Sequence, residues 1–369
     1  MGVSQTTPPA SDEIEVSLFG PGVGECVVVH TGGGEWIIVD SCLDGPGRAA
    51  EPVALRYLAQ LNVNIAEAVR LVVVRHWHDD HIRGIAEVFR RATQADVAIS
   101  LSLATEHFLT IARMAKVRAT DDAGSSVDEF AGILTELTQR APAGARWRLG
   151  SPTYAVARLP LSRPGATGSV TALSPSPTAI QKSQVGLCER LSALIDSGRR
   201  LVAQGPNDTA IALWVEAGAR KILLGSDLEN ANDPREGWAA VVADAQGCRS
   251  AADVFKVAHH GSTGAHDDAV WNSMLSPQPY ALLTPYRPSK LPRKGDLQRL
   301  KAATAETYLS ADVAAIRPKK RATAVEGQLN AITLKRRAVR SGKPGHVRVR
   351  MDRNGGPIIV DLFDGARRA

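Results

Sequence analysis

The sequence predicts a mixed α/β fold, α+β in character at its start, and three observations predict it. Apolar segments such as the largely β-branched Leu71-Val72-Val73-Val74 and Ile222-Leu223-Leu224 alternate with stretches whose apolar residues recur at helical spacing. The chain opens on three strands joined by short glycine-rich turns, which pair them antiparallel. Several later strands close on an aspartate or on histidines, so a rigid scaffold can aim polar side chains from its strand ends.

In order, Met1 to Asp12 is polar and contains proline, with neither a basic start nor an apolar core. Residues 1–12 therefore read as a disordered tail and not as a secretory signal. Ile14 to Phe19 alternates apolar and polar, Cys26 to His30 is a second strand, and Trp36 to Val39 a third that ends at Asp40. Gly32-Gly33-Gly34 joins strand to strand, so it is a turn; a phosphate cradle needs a strand-to-helix turn. Glu51 to Leu61 reads as a helix with Pro52 in its first turn. Ile82 to Phe89 has helical spacing, and Val97 to Leu101 is another strand.

Residues 102–200 read as an insertion of helices and loops over the face where the strand ends aim their polar side chains. Its helices fall at Leu103–Val117, Val127–Thr138 and Thr178–Ile195, with a strand at Ser169–Leu173. His107, alone on a helical stretch, reads as a surface or packed residue. Over 207–215 a polar turn runs into a strand, and strands follow at 221–227 and 253–258. Further on, Asp296 to Thr307 reads as a helix, and Asp352-Arg353-Asn354-Gly355-Gly356 between two apolar runs is a terminal β-hairpin. The organisation expected is a main domain over 13–285 and an extension over 286–369 packed on it, with too few segments for a core of its own.

Composition narrows the class. At 369 residues the chain can bury a sizeable core, and 44% hydrophobic with 22% charged residues is ordinary for a soluble globular protein. No apolar run approaches the ~20 residues that span a bilayer, so no membrane partner is expected. Cys26, Cys42, Cys188 and Cys248 are scattered without paired spacing, which fits a reducing cytoplasm and no cysteine zinc site. Charge is uneven: residues 286–369 hold 20 Lys+Arg against 7 Asp+Glu, a net of +13, and the remainder holds 24 against 31, a net of −7. Arg317, Lys319, Lys320 and Arg321, then Lys335, Arg336 and Arg337, form two basic clusters. A polyanion, nucleic acid above all, is the partner these suggest; a merely solubilising surface is the plainer alternative.

The chemistry concentrates in Arg75-His76-Trp77-His78-Asp79-Asp80-His81, between a core strand and a helix. His76 and His78, alternate residues in extended backbone, project the same way and can share one ion; Asp80 and His81 follow the turn and aim at a neighbouring position. Imidazoles with a carboxylate suit zinc, or manganese or iron. Chance placement in a solvated loop is disfavoured, because three of only nine histidines fall within six residues.

His76-x-His78-x-Asp80-His81 after an apolar strand, with Gly84 three residues on, resembles the signature of the metallo-β-lactamase-fold hydrolases. The resemblance spans roughly Ile14 to Pro285 and implies a four-layer αβ/βα sandwich with metal ions, Zn2+ (one or two) or Mn2+, at one edge. It casts Asp40 as a carboxylate that orients a ligand, Asp227 as a carboxylate bridging two metals, and His260 or His259 as completing the second site. With His76, His78, Asp80 and His81 these form the expected metal set, Asp80 and Asp227 being the catalytic carboxylates. Where many members carry a further histidine, this chain has Asn207-Asp208-Thr209, with Asn207 expected beside the metals. That turn, with His259-His260-Gly261-Ser262, looks like the soluble hydrolase domain of bacterial competence (DNA-uptake) channels. The implied activity is metal-assisted hydrolysis of a phosphodiester in DNA or RNA, the two basic clusters gripping phosphates without reading sequence. Two other readings use the same residues: a hydrolase of a small ester, lactone, thioester or cyclic nucleotide, and a non-catalytic protein that keeps the fold and docks a protein partner.

Overall fold

A computed structural model describes residues 4–20, 24–45, 50–75, 79–103, 126–140, 153–186, 207–244, 251–312 and 345–369. The strands are β1 (Glu13–Gly20), β2 (Cys26–His30), β3 (Trp36–Val39), β4 (Val69–Val74), β5 (Asp96–Ser100), β6 (Thr153–Ala155), β7 (Leu159–Pro160) and β8 (Ser169–Ala172). They continue with β9 (Leu213–Ala217), β10 (Arg220–Leu224), β11 (Ala252–Lys256), β12 (Leu275–Leu283), β13 (Glu306–Leu309), β14 (Gly345–Asp352), β15 (Ile358–Phe363) and β16 (Arg367–Arg368). One sheet runs β15-β14-β1-β2-β3-β4-β5-β6, the other β16-β13-β12-β11-β10-β9-β8-β7.

Period-2 alternation assigns each strand's side chains to two layers. Val27 and Val29 face the space between the sheets, with Leu71, Val73, Val215, Ile222, Val254 and Leu282. Val28, Ile38, Val72 and Val74 face the other way, under the helices Val53–Gln60, Ile85–Arg91 and Ser126–Arg140. On the second sheet Trp214, Leu223, Phe255 and Leu283 face Trp238, Val270 and Leu300 of three further helices. Helices, sheet, sheet, helices: the four-layer αβ/βα sandwich holds.

Both sheets change from antiparallel to parallel pairing partway across. β3, β4 and β5 are parallel in the first, and β10, β11, β12 and β13 in the second. Parallel neighbours end on the same side, so the C-terminal ends of β3, β4, β10, β11 and β12 converge on one edge. The helix beyond the histidine motif is seated there by a borrowed cap. Glu129, on the helix Ser126–Arg140, accepts from the Gly84 and Ala86 amides at 2.8 and 3.0 Å. Gly84 has φ +82°, and a Cβ on it would meet Pro52 Cγ at 2.8 Å and Leu43 Cδ2 at 2.9 Å.

Several expectations are corrected. Residues 4–12 are not a loose tail: Arg348 donates to the Ser4 and Gln5 carbonyls, Arg350 to that of Thr7, and Gln5 Nε2 lies 3.0 Å from His346 Nδ1. Residues 286–369 are not an appended layer. The hairpin forms as β14 and β15, but β14 pairs along all of β1, β13 pairs with β12, and β16 pairs with β13. The segment read as a helix to Thr307 splits into a helix at Lys294–Ala303 and β13. The described parts of 102–200 do not lie over the site: the helix Ser126–Arg140 packs in the outer layer, and β6, β7 and β8 finish the two sheets. Beyond Leu103, the expected helix at Leu103–Val117 lies outside the described residues, as does the second half of Thr178–Ile195, helical over 177–186. Among the described residues no helix is long and apolar enough to cross a membrane.

Candidate metal centre

Each side chain of the centre leaves from a strand end. Asp40 follows β3, His81 lies in the helix Asp79–Ile82 after β4, Asp227 follows β10, and His260 follows β11. The backbone is forced there. Asp40, Ser226, His259 and His260 all have positive φ, at 59°, 53°, 41° and 54°, half of the eight such non-glycine residues described. Conformations of this kind cost about 1–3 kcal/mol each and persist where the surroundings over-determine them, which is typical of functional sites.

His81, Asp227 and His260 are buried, and one ligand atom from each lies within 4.8 Å of the other two. His81 Nε2 is 3.2 Å and His260 Nε2 3.6 Å from Asp227 Oδ2. The far nitrogens fix both tautomers. His260 Nδ1 donates to the Thr284 carbonyl at 2.9 Å, and a carbonyl can only accept. His81 Nδ1 donates to Asp40 Oδ2 at 2.7 Å. In the neutral rings both Nε2 lone pairs then face a carboxylate, and Asp227 Oδ1 is itself buried with no hydrogen-bond partner among the described residues. Acceptors converging on acceptors fit a cation between them, and two imidazoles with a carboxylate suit zinc. Burial depresses the His260 pKa, outweighing Asp227 and Glu25. Burial works against ionisation of Asp227, but His81, His260 and Lys256 outweigh it and hold the carboxyl well below its ordinary range.

Behind this cluster lies a second one that the sequence did not reveal. Glu25, Asp40, Arg75 and Lys256 are completely buried. Glu25 Oε1 meets Arg75 Nη2 at 2.5 Å and Lys256 Nζ at 2.6 Å, and Thr284 Oγ1 donates to Glu25 Oε2. Arg75 reaches Asp40 Oδ2 through Nε at 3.0 Å and Nη2 at 2.8 Å, while its amide donates to Asp40 Oδ1 at 2.8 Å. Burial pushes Glu25 up, but Lys256 and Arg75 outweigh it and lower its pKa to about 2. Glu25, Asp40 and His81 also lie close enough to share an ion. There, however, a guanidinium and an ammonium already hold the carboxylates, so the group formed with Asp227 is the better candidate for a cation. Tyr286 stacks on His260, ring centres 4.8 Å apart at 14°. The signal for this second cluster was a charge set in apolar sequence, as in Val254-Phe255-Lys256-Val257.

The structure separates the histidine pair. His260 points into the cluster, whereas His259 Nδ1 bonds Glu229 and lies 3.2 Å from Ser262 Oγ, partly exposed. His266 is also elsewhere, its Nε2 3.2 Å from Asp268. Asn207 begins the 3-10 turn Asn207–Thr209 ahead of β9, its Oδ1 buried without a hydrogen-bond partner among the described residues. Two residues past that turn, the Ile211 amide donates to the Arg75 carbonyl at 3.0 Å. His76, His78, the Asp80 side chain and His107 lie outside the described residues, as do Arg317, Lys319, Lys320, Arg321, Lys335, Arg336 and Arg337.

The family model of the metallo-β-lactamase superfamily matches residues 19–270. No curated protein sequence matches the chain. Among solved structures, the metallo-β-lactamase fold protein YhfI from Bacillus subtilis is 11% identical, with 81% of this chain and 95% of that one covered and a TM-score of 0.41. A Cronobacter sakazakii metallo-β-lactamase is 14% identical over 89% and 96% of the two chains, with a TM-score of 0.34. The β-hydroxylase CmlA, in a mutant form, is 14% identical over 80% and 52%, with a TM-score of 0.38. With the match over more than half its length, the chain belongs to the metallo-β-lactamase superfamily, whose members are generally metal-dependent hydrolases.

Proposed function

We propose that this protein hydrolyses phosphodiester bonds in DNA or RNA with one or two bound metal ions, zinc or alternatively manganese. The observation that carries the hydrolytic reading is the convergence of His81, Asp227 and His260 with both imidazole Nε2 atoms turned toward Asp227. Cations held there would acidify a water molecule and neutralise charge on phosphate oxygens. The chain's own part is to hold two tautomers, through Asp40 and the Thr284 carbonyl, and to keep Asp227 ionised. Asp227 and Asp80 are the catalytic carboxylates of this reading, and His76 and His78 complete the ligand set.

Two facts favour a nucleic-acid substrate. The basic clusters of 317–337 sit in the half of the charge distribution that carries +13. The described flanks of that stretch also meet beside the centre. A Cβ on Gly345 would lie 1.8 Å from the Ser310 carbonyl, and one on Gly20 would touch both Ser310 Oγ and Thr284 Cγ2. Thr284 is the residue that holds His260. Kinship with the competence-channel hydrolase domain rests on Asn207-Asp208-Thr209 and His259-His260-Gly261-Ser262 and belongs to the same proposal, as does a cytoplasmic setting. The test is incubation of metal-loaded protein with single- and double-stranded DNA, RNA and a small chromogenic phosphodiester. Cleavage of polymer that weakens with salt supports the reading. Turnover of the small ester alone favours the small-substrate hydrolase, and no turnover of any substrate favours the binding protein.

A further inference from the structure

We infer that Glu25 is the positioning residue for the described part of the metal centre: one buried carboxylate reaches His81, His260 and Asp227 through three separate arms. The first arm runs through Arg75 to Asp40 and so to His81 Nδ1, with contacts of 2.5, 2.8 and 2.7 Å. The second runs through the Thr284 hydroxyl to the residue whose carbonyl accepts from His260 Nδ1 at 2.9 Å. The third runs through Lys256, 2.6 Å away, whose Nζ donates at 3.2 Å to the carbonyl of Ser226, the neighbour of Asp227. This inference rests on the metal-hydrolase reading above.

Position in the fold explains why one residue can do this. Glu25 enters ahead of β2 in the first sheet, while Ser226, Lys256 and Thr284 belong to strand ends of the second. A carboxylate between the sheets therefore fixes ligands from both relative to one another. A glutamate is also suited to the task by its acceptor capacity, since two oxygens offer about four lone-pair sites and three donors are served here. The formal charges argue the same way: Glu25, Asp40 and Asp227 exceed Arg75 and Lys256 by one, and Glu25→Gln removes that surplus. Elsewhere in the protein Glu15 is a useful contrast. It is equally buried and bonds Tyr57, Ser17 and Arg350, but it ties β1 to β14 and reaches no residue of the centre.

The experiment compares the parent with Glu25→Gln, Glu15→Gln and Thr284→Val. Each is loaded with Co2+, titrated against a chelator, and followed by visible absorption of the bound ion and by denaturant unfolding. Removal of a residue that orients metal ligands typically weakens metal affinity about 10–100-fold, and that loss, with a changed cobalt spectrum, is expected for Glu25→Gln. Glu15→Gln should lose stability while keeping parental affinity and spectrum. Thr284→Val cuts a single arm, so it should show a smaller loss of affinity and a changed spectrum even where Glu25→Gln does not fold. Parental affinity and spectrum in a folded Glu25→Gln, or in Thr284→Val, would overturn the inference and leave Glu25 a structural ion-pair partner. A parent that takes up no Co2+ or Zn2+ overturns the metal reading itself, an outcome distinct from both.

Discussion

The substitution Asp40→Asn isolates the role of one carboxylate with little disturbance of the backbone. Asp40 has φ 59°, a region in which asparagine is as much at home as aspartate. The side-chain oxygen of asparagine can still accept from the Arg75 amide. The new NH2 group then faces three donors, Arg75 Nε, Arg75 Nη2 and His81 Nδ1, where Oδ2 had accepted from all of them. Arg75 cannot readily make good the loss, since its Nη1 has no hydrogen-bond partner among the described residues. Breaking a buried ion pair by removing one partner costs about 3–5 kcal/mol. Arg75 retains Glu25, so the lower end, about 3 kcal/mol, is expected against a total stability of about 5–15 kcal/mol.

The variant should therefore fold but unfold at distinctly lower urea, measured metal-free so that ligand linkage does not mask the change. His81 also loses the acceptor that fixed its tautomer, so metal affinity should fall about 10–100-fold in chelator competition. The two measurements separate the ion pair from the oriented ligand. A parental urea midpoint would refute the buried pairing of Asp40 with Arg75. A lowered midpoint with parental metal affinity would refute the claim that Asp40 orients a ligand.

Three further outcomes are expected. Asp227→Asn should abolish turnover and strip metal while circular dichroism stays parental; a stable variant that still turns over substrate contradicts the assignment of Asp227. Acid should destabilise the metal-free protein through Glu25, whose pKa falls from 4.5 to about 2 on folding: this stability is complete above pH 4.5 and lost as pH drops toward 2. The loss is about 3 kcal/mol, and a urea midpoint flat across that window would contradict it. Replacing Arg317, Lys319, Lys320, Arg321, Lys335, Arg336 and Arg337 by Ser or Gln should flatten the salt dependence of duplex binding, by about 0.9 in log–log slope for each phosphate that is no longer held. An unchanged slope removes these residues as the nucleic-acid grip.

Much of the scaffold could be read locally, because β-branched runs and period-2 alternation are local signals. The strands at 13–39, 69–74, 96–100 and 213–256 follow them closely. β12 escaped because Pro277 and Pro279 break the strand signal. The structure accommodates them at a register shift, where Ala252 pairs with Leu275 and Val254 with Tyr280. The C-terminal strands were set apart because nothing local announces that β14 inserts beside β1, a pairing of residues more than three hundred positions apart. The centre divides the same way. Residues in one short motif or at an obvious strand end could be named, including His81, Asp227 and Asp40. Glu25, Arg75 and Lys256 could not, since a single charge beside an apolar run gives no hint of a partner elsewhere in the chain, as with the bond from Glu25 to Thr284 across 259 positions.

The same non-local closure bears on where a polyanion would be held. β13 ends in the second sheet at Leu309 and β14 begins in the first at Gly345, so the stretch between them leaves one sheet and re-enters the other. Ser310 joins the two ends: its amide bonds the Leu283 carbonyl at 2.9 Å, its hydroxyl the Gly20 carbonyl at 3.2 Å, and its carbonyl crowds Gly345. Leu283 directly precedes Thr284. Both roots of the basic stretch are therefore fastened within a few residues of the side chain that links Glu25 to His260. On the proposed nucleic-acid reading, a grip by the seven basic residues of that stretch would act on polymer cleavage and leave the hydrolysis of a small phosphodiester unchanged.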